Sequence, residues 1–385
     1  MLHTIAVRGY RSLREVVLPL GSLTVVTGAN GTGKSSVYRA LRLLADCGRG
    51  QVIGSLAREG GLQSALWAGP EQPTEDTQRT IGTRPISLEL GFAADDFGYI
   101  VDLGLPQLAG SRQPDGNPSA FARDPEIKRE VVFAAPVLRS SSVLVHRANG
   151  YAETASDTGR GFDELTRALP TYHSVLAEYA HPRALPELAA VSDRLRNWRF
   201  YDGFRVDADA PARRAHVGTR TPVLTDDGAD LAAAVQTILE AGTGLLEDAV
   251  GAAFDGAELS VAVNDGLFDV QLHQRGMLRP LRSAELSDGT LRFLLWSAAL
   301  LSPQPPSLMV LNEPETSLHP DLVQPLATLI RAAAANTQII VVTHSHTLLE
   351  FLDDATQIEL FKQWGETRVS GQGLLDVPSW HWGKR

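Results

Sequence analysis

The strictest limit on the fold comes from a glycine-rich segment near the start of the chain, GANGTGKS, which runs from Gly28 to Ser35. It matches G-x-x-x-x-G-K-[ST], the P-loop pattern that wraps the phosphates of a nucleotide. The β-branched run before it, Leu23–Thr27, predicts a buried strand, and apolar residues at helical spacing over 36–44 predict a helix after it. An ordinary glycine-rich turn is the alternative, but a strand and a helix on its two sides are the context that a P-loop requires. The sequence therefore predicts an α/β fold arranged around a strand, a loop and a helix.

The residue types in this loop suit phosphate binding. Glycines allow the backbone N–H groups to turn inward, and the N-terminus of the following helix adds partial positive charge. We expect Lys34 to reach the β- and γ-phosphates and the hydroxyl of Ser35 to bind Mg²⁺. The predicted nucleotide-binding residues of the loop are Asn30, Gly31, Thr32, Gly33, Lys34, Ser35 and Ser36.

Composition limits the class of protein. The chain has 385 residues, 43% of them hydrophobic and 21% charged, as in soluble globular proteins. Its net charge of −10 excludes a uniformly basic nucleic-acid-binding coat, although a local basic groove stays compatible with it. The single cysteine, Cys47, excludes an intrachain disulfide and suits a reducing cytosol. The longest apolar stretch, 293–301, is shorter than the ~18 residues of a membrane span, so we expect a cytoplasmic protein that does not cross a membrane.

Three segments differ in their predicted structure. Residues 1–150 hold the P-loop unit and several short strands that predict an antiparallel β subdomain. Residues 151–256 predict a mostly helical insertion, and residues 257–385 alternate strands and helices in the pattern of a parallel sheet with crossover helices. No heptad repeat is sustained, so we expect no long coiled coil. The expected fold is a P-loop α/β head with a mostly parallel central sheet, an antiparallel subdomain and a helical insertion.

Within these segments, periodicity gives more specific expectations. Strands are predicted over 2–8, 14–18, 84–93, 99–105, 131–138 and 142–147, and a hairpin over 259–263 and 268–273. Helices are predicted over 162–179, 184–198 and 228–254, the last of them broken at Gly242–Gly244. The polar, proline-containing stretch 199–225 predicts an exposed connection.

A second half of a nucleotide site is predicted towards the C-terminus. The apolar run Ser307–Leu311 predicts a buried strand and ends in Asn312-Glu313, the arrangement of a Walker B motif. A core strand with a polar end is the alternative on these residues alone, and the P-loop favours the functional interpretation. We expect Glu313 to act as the general base that orients the attacking water, with Asn312 on the side of the metal. Aspartate is usual at that place, so the neutral amide predicts weaker Mg²⁺ dependence of binding or slower turnover.

Two further segments complete the pattern. A strand predicted over 338–343 is followed by His344, at the edge of an open α/β sheet where ligands collect. A structural histidine is the alternative, but with the other motifs present we expect His344 to contact the γ-phosphate or Glu313; the role of His346 stays open. The segment ELSDGT places Ser287 and Gly289 at the start of a helix over 291–301, and a capped helix start is its simplest interpretation.

Taken together, these motifs resemble those of ABC-type ATPases, most closely the branch shared by RecF and the structural-maintenance-of-chromosomes (SMC) proteins. The segments that carry the resemblance are VRGYRSL, GANGTGKSS, LSDGT, LMVLNEPETSLHP and VVTHS. These segments look most similar to those of stand-alone ATPases of the AAA-21/AAA-15 type. The resemblance covers residues 1–45 and about 280–350. The middle of the chain is similar to this group at DGADLAA, over 227–233.

The resemblance implies an enzyme that binds and hydrolyses ATP with Mg²⁺ and forms a homodimer when ATP binds. Lys34 and Ser35 of one subunit would then bind ATP, and Ser287 and Gly289 of the other would cover its γ-phosphate. The loop after the Walker B strand would line the dimer interface, through Ser317, Leu318 and His319.

Two places depart from the family pattern. Asp288 stands where glycine is more common, and the family's glutamine loop has only Gln63 as a nearby candidate. Several arginines could face DNA or nucleotide, and solvated surface charge is the alternative for each. They are Arg8, Arg11, Arg194, Arg196, Arg199, Arg213, Arg214 and Arg220.

Three functions are compatible with these expectations. The first is an ATP-hydrolysing dimer that acts on DNA in repair, chromosome maintenance or phage defence. The second is an ATP-switched module that controls a partner protein such as a nuclease. The third, a nucleotide-binding subunit of a transporter, fits least, because the insertion and the PETSLHP loop resemble the RecF branch.

Overall fold

The computed structural model describes residues 1–69, 87–106, 120–156, 158–373 and 377–384. Its strands, numbered along the chain, are β1 (Leu2–Tyr10), β2 (Leu13–Pro19), β3 (Leu23–Gly28), β4 (Ser87–Ala94), β5 (Phe97–Gly104), β6 (Glu126–Ala134), β7 (Val143–Ala148), β8 (Tyr151–Ala155), β9 (Phe162–Thr166), β10 (Arg199–Tyr201), β11 (His216–Val217), β12 (Glu258–Asn264), β13 (Leu267–His273), β14 (Leu281–Arg282), β15 (Leu308–Asn312), β16 (Gln338–Val342), β17 (Thr356–Gln363) and β18 (Glu366–Val369). Its α-helices are α1 (Lys34–Gly48), α2 (Val52–Arg58), α3 (Leu62–Ala65), α4 (Val175–Glu178), α5 (Pro186–Asn197), α6 (Leu231–Ala241), α7 (Leu245–Ala253), α8 (Asp288–Leu300), α9 (Val323–Ala334) and α10 (His346–Phe351).

The chain forms two compact units. The first comprises Met1–Gly21, Thr27–Trp198 and Ile358–Arg385, and the second comprises Ser22–Val26 and Arg199–Gln357. The longest helix among the described residues, α1, has 15 residues. None of the helices in those ranges combines the length and apolar character that a membrane span requires. The three-part division at residues 150 and 256 stays a prediction.

The first unit contains an eight-stranded sheet in the order β2-β1-β4-β5-β6-β7-β8-β9. Every pair of neighbours in it is antiparallel, which confirms the predicted antiparallel subdomain. The predicted strands over 99–105 and 142–147 are β5 and β7. The strand predicted over 84–93 is β4 from Ser87 onwards, and 84–86 lie outside the described residues.

The P-loop helix α1 is held tightly within the first unit. A Cβ atom built on Gly48 would lie 2.7 Å from Cβ of Leu195 in α5, so only glycine permits this approach of the two helices. Arg196 Nε donates to the carbonyl of Gly48 at 2.7 Å, and Arg49 donates to the carbonyl of Trp198 at 2.9 Å. The ring of Trp198 in turn lies 5.6 Å from that of Phe92 in β4. These contacts hold the C-terminal end of α1 against α5.

The second unit is organised on parallel strands in the order β10-β15-β16-β3. β15 and β16 are almost entirely buried runs of β-branched and aliphatic residues, as expected where helices cover both faces of a sheet. The pairing aligns Tyr201 with Leu311, Asn312 with Val342, and Val342 with Val26. The carboxyl ends of all four strands therefore meet at one edge, as the predicted parallel sheet requires.

Helices and a small antiparallel sheet complete the second unit. Helix α8 buries ten of its residues, among them Trp296, whose ring lies 4.9 Å from Phe204. The predicted hairpin is β12 and β13, with Asp265 and Gly266 at φ 50° and 78° in the turn, the geometry that an Asp-Gly sequence favours. The predicted break at Gly242–Gly244 separates α6 from α7 and is confirmed.

Two predictions of secondary structure were wrong. The helix predicted over 162–179 is β9, an exposed edge strand, followed by the short α4; Pro170 between them prevents a continuous helix. The stretch 199–225 is not wholly an exposed connection, because it begins with β10, whose Phe200 and Tyr201 are 1% and 0% exposed. In addition, the strand predicted over 131–138 lies earlier, as β6, and ends before Pro136.

Candidate nucleotide site

The P-loop belongs to the first unit and needs its glycines for two separate reasons. Gly28, Gly31 and Gly33 have φ values of 141°, 79° and 111°, which side-chain-bearing residues rarely adopt. A Cβ atom on Gly28 would also lie 2.3 Å from the carbonyl oxygen of Leu360, and one on Gly33 would lie 2.3 Å from Oγ1 of Thr367. Gly31 has open space beside it. The loop therefore curls with its backbone exposed at Gly31 and closely packed at both ends.

Lys34 begins α1 and is buried, with 7% of its surface exposed. Its Nζ donates to the carbonyl of Gly28 at 2.6 Å and to that of Ala29 at 3.1 Å. The ammonium group thus lies inside the curl of the loop, at the positive end of the helix dipole. The side chain of Ser35 is exposed at the first turn, as are Asn30 and Gly31. The positive charge of Lys34 and the N-terminus of α1 therefore lie at the same end of the loop, an arrangement that favours anion binding.

Two residues that sequence reasoning missed support the loop. Oγ1 of Thr367 in β18 donates to the carbonyl of Thr32 at 2.6 Å, and Oγ of Ser12 lies 2.8 Å from the same Oγ1. Thr32 itself closes the loop through a bond from its Oγ1 to the carbonyl of Ala29 at 2.8 Å. No local signal marks Thr367, because it is 335 residues away from Thr32 along the chain.

The second unit brings Glu313 and His344 together. Glu313 follows β15 with φ 47°, and its backbone N–H donates to the carbonyl of Val342 at 2.7 Å. Its Oε1 then lies 3.1 Å from Nδ1 of His344, just after β16. An ionised carboxylate only accepts hydrogen bonds, so the histidine tautomer that fits this contact is the one with its proton on Nδ1. Both side chains remain partly exposed, at 38% and 53%, so a water molecule can reach the carboxylate.

Glu315 is a second carboxylate in the same loop, and sequence reasoning did not single it out. One of its oxygens accepts a bond from Oγ1 of Thr343, and the same Oγ1 accepts the N–H of Ser345 at 2.9 Å. Its other oxygen, Oε2, is buried and has no hydrogen-bond partner within the described residues. Burial raises the pKa of Glu315, and the bond from Thr343 only partly offsets this. The second acidic residue in NEPET is the signal that could have identified it.

Asn312, the predicted metal-side residue, is bonded to an aspartate of the neighbouring strand. Its Nδ2 donates to Oδ1 of Asp202, the residue that follows β10. Asp202 lies in the stretch 199–225, which the sequence predicts to be an exposed connection, so no sequence pattern marks it as part of a site.

The predicted signature segment forms the N-terminus of α8. Oγ of Ser287 accepts the N–H of Thr290 at 3.2 Å and so acts as the N-cap of the helix. A Cβ atom built on Gly289 meets nothing within 4 Å, so this end of α8 presents an open surface.

Arg213 holds the segment before α8 through hydrogen bonds to its backbone and to Asp288. Its guanidinium donates to the carbonyls of Val206 at 2.8 Å and Leu286 at 2.7 Å, and to the carboxylate of Asp288 at 2.6 Å. Only 9% of Arg213 is exposed, so its interpretation as a solvated or DNA-facing charge was wrong. The charge pattern of the sequence carries no sign of this burial.

The other predicted DNA-facing arginines mostly have partners within the protein. Arg8 pairs with Glu15 and Glu89, and Arg11 pairs with Glu59. The remaining contacts are Arg194 with Asp96, Arg196 with the Gly48 carbonyl, Arg214 with Asp209 and Arg220 with Glu240. His346 is exposed at the start of α10, and Gln63 is exposed on the short α3.

Comparison with known proteins places the chain in a family. The model described as "AAA domain, putative AbiEii toxin, Type IV TA system" matches residues 23–350, which include the P-loop, the ELSDGT segment, the Asn312-Glu313 pair and His344. The chain belongs to this AAA-21 family. The family and the fold agree with the resemblance to AAA-21-type, SMC-like ATPases that the motifs indicated.

A curated relative of this AAA-21 chain is the OLD nuclease of Thermus scotoductus, 30% identical over 141 residues. The match covers 34% of this chain and 26% of the relative, so the chain spans about a quarter of that protein's length. Among solved structures, an SMC head bound to the C-winged helix domain of ScpA is matched with a TM-score of 0.53 and 13% identity, over 97% of this chain and 98% of that one. An SMC head with an extended coiled coil, bound to the C-terminal domain of ScpA from Pyrococcus furiosus, gives 0.51 and 13%, over 96% and 95%. The AAA-21 chain therefore has the fold of an SMC head.

Proposed function

We propose that this chain binds ATP with Mg²⁺ and hydrolyses it, as a P-loop ATPase. The observation that carries the proposal is the Glu313–His344 pair, which stands at the ends of two neighbouring parallel strands. The next strand in the same sheet, β3, leads directly into the P-loop. Carboxyl ends of strands at this kind of edge are where open α/β sheets bind ligands.

The roles of the residues follow from their chemistry. Residues Asn30 to Ser36 bind the phosphates, with Lys34 at the β- and γ-phosphates. Glu313 accepts a proton from the attacking water, and the N–H of His344 holds its carboxylate in position. The hydroxyl of Ser35 and the amide oxygen of Asn312 are hard oxygen donors, the kind that Mg²⁺ prefers. When bound, Mg²⁺ neutralises charge on the phosphates.

We further propose that ATP binding joins two copies of the chain. Ser287 and Gly289 of one copy would then cover the γ-phosphate bound by the other, and the open surface at Gly289 supports this. The test is light scattering of the wild type and of Glu313→Gln, with and without ATP. We expect a stable dimer only in the variant with ATP, because the uncleaved nucleotide holds it together. A monomer under all four conditions would overturn the proposal.

The substrate on which such a dimer acts is proposed to be DNA, in repair, chromosome maintenance or phage defence. The relative named as a nuclease supports this choice. Phosphate contacts make DNA binding weaken steeply with salt. A mobility-shift assay at low salt with ATP and the Glu313→Gln variant is therefore the sensitive test, and no shift on duplex or single-stranded DNA would exclude a DNA substrate.

A second candidate is a module that uses ATP as a switch to control a partner nuclease. The match to a relative that is named a nuclease favours it, and the matched segment covers 26% of that relative. Purification of the tagged chain from its native host, followed by a nuclease assay of the eluate, distinguishes the two. Nuclease activity that is lost on washing with ATP or with high salt would indicate a separate partner.

A further inference from the structure

Asp202 and Asn312 are brought side by side by the register of two parallel strands. Tyr201 at the end of β10 lies opposite Leu311 in β15, so the residue after each of them leaves the sheet at the same level. This places the Asp202 carboxylate beside the position where a Walker B strand usually carries its own aspartate.

The direction of the hydrogen bond between them is informative. The amide nitrogen of Asn312 donates to Oδ1 of Asp202. The amide oxygen of Asn312 and Oδ2 of Asp202 are therefore not used in this contact. Both are hard oxygen atoms, and together they offer the one negative charge that Asn312 alone lacks.

Three arginines that follow Asp202 in the sequence pair with other carboxylates. Arg205, Arg213 and Arg214 form ion pairs with Asp207, Asp288 and Asp209, respectively. Within the described part of the chain, no ion pair involves Asp202, and its side chain is exposed. An exposed carboxylate at the ligand-binding edge of a parallel sheet is suited to attract a divalent cation.

We infer that Asp202, oriented by Asn312, supplies the carboxylate of the metal side of the nucleotide site. This rests on the proposed ATP-binding function. The sequence alone predicts that Asn312 weakens the Mg²⁺ dependence of binding or slows turnover. If Asp202 supplies the carboxylate, neither effect is expected. The competing explanation is that the bond only ties β10 to β15, which would depend on the shape of Asp202 and not on its charge.

The test measures the Mg²⁺ dependence of nucleotide binding, using a fluorescent ATP analogue and the full chain. Asp202→Asn keeps the shape and an acceptor oxygen but removes the charge. We expect its Mg²⁺ requirement for half-maximal binding to rise about 10-fold or more, as for other groups that support a metal site. The double variant Asp202→Asn with Asn312→Asp returns the charge from the other strand and should bring the requirement back to within about 3-fold of wild type. Asp209 is another exposed aspartate of the stretch 199–225, so Asp209→Asn is the matched control and should leave the Mg²⁺ requirement unchanged.

The outcomes separate this inference from the proposed function. If Asp202→Asn and the wild type need the same Mg²⁺ concentration, or if the double variant stays as weak as Asp202→Asn, the inference fails while ATP binding stands. If the wild type does not bind the analogue, or if Lys34→Ala binds it as well as the wild type, the proposed function fails. The binding of Mn²⁺ to the analogue complex, followed by electron paramagnetic resonance of free Mn²⁺, gives a second readout that is independent of hydrolysis. There too, weaker Mn²⁺ binding in Asp202→Asn and recovery in the double variant are expected, and equal binding would overturn the inference.

Discussion

Nδ1 of His344 lies 3.1 Å from Oε1 of Glu313, across the ends of two neighbouring parallel strands. If Glu313 is the general base, Glu313→Gln removes the proton acceptor but keeps the side-chain volume. We expect the rate of ATP hydrolysis to fall about 10²- to 10³-fold, in the range typical of a lost general base. Single-turnover hydrolysis and analogue binding, measured on the same preparation, check this. A large loss of binding instead would show that Glu313 serves to hold nucleotide.

His344 is expected to act through Glu313, and this can be measured. Because its N–H holds the carboxylate, His344→Ala should slow hydrolysis about 10-fold in the wild type, a loss similar to that of a single charge-assisted hydrogen bond. In the Glu313→Gln background the same change should have little further effect, since residues that act as a unit are not additive. Equal effects in the two backgrounds would assign His344 a separate contact with the phosphate.

Lys34→Ala is predicted to weaken nucleotide binding about 10- to 100-fold, because each hydrogen bond to a charged group contributes roughly 1.5–3 kcal/mol. Binding is measured by fluorescence titration of the analogue. Arg39→Ala, an exposed basic residue on the same helix, is the control for general loss of charge and should bind as the wild type does. Retained binding in Lys34→Ala would contradict the assigned role of the loop.

The parts of this site that could be predicted are those with a local signal. The P-loop, β15 and β16 combine a motif with a continuous apolar run, so a window of about ten residues is enough to identify them. The residues that support the P-loop are not marked by any local pattern, because Thr367 bonds to Thr32 from the far end of the chain. Strand β10 has three residues, too few for any periodicity, and with it Asp202 was missed.

The burial of charged side chains was the property that the sequence predicted least well. Arg213 and Arg214 are adjacent in the sequence and look equivalent there, yet the first is buried and the second is 65% exposed. Which of two neighbouring arginines turns inward depends on which backbone carbonyls lie within reach, and this is decided by segments distant in the chain.

Glu315 gives a prediction about pH. Burial raises its pKa in the folded protein above the value of about 4.3 in an unfolded chain. The folded state therefore holds its proton more tightly, and stability falls as pH rises from the unfolded pKa towards the folded one. Glutamine does not ionise, so the Glu315→Gln variant does not lose stability in this way as the pH rises. The quantity to compare is the thermal midpoint of Glu315→Gln minus that of wild type, measured by circular dichroism. We expect this difference to be larger at pH 7 than at pH 4. Thr343→Val should not reproduce that trend, and a difference between Glu315→Gln and wild type that is independent of pH would contradict the prediction.

Arg213 and Arg214 form a matched pair for testing what holds the start of α8. Removing the Arg213 guanidinium leaves the carbonyls of Val206 and Leu286 without their donor in a buried place. We expect Arg213→Ala to cost about 3 kcal/mol, as for several lost bonds from one charged group, and to lower the thermal midpoint by about 6–12 °C. Arg214→Ala loses only an exposed pair with Asp209 and should stay within about 0.5 kcal/mol of wild type. Hydrogen exchange locates the effect: in Arg213→Ala, the N–H groups of the first turn of α8 should lose protection before those of its buried middle. Loss of protection spread evenly over α8 would mean that Arg213 stabilises the whole unit and does not specifically position Ser287 and Gly289.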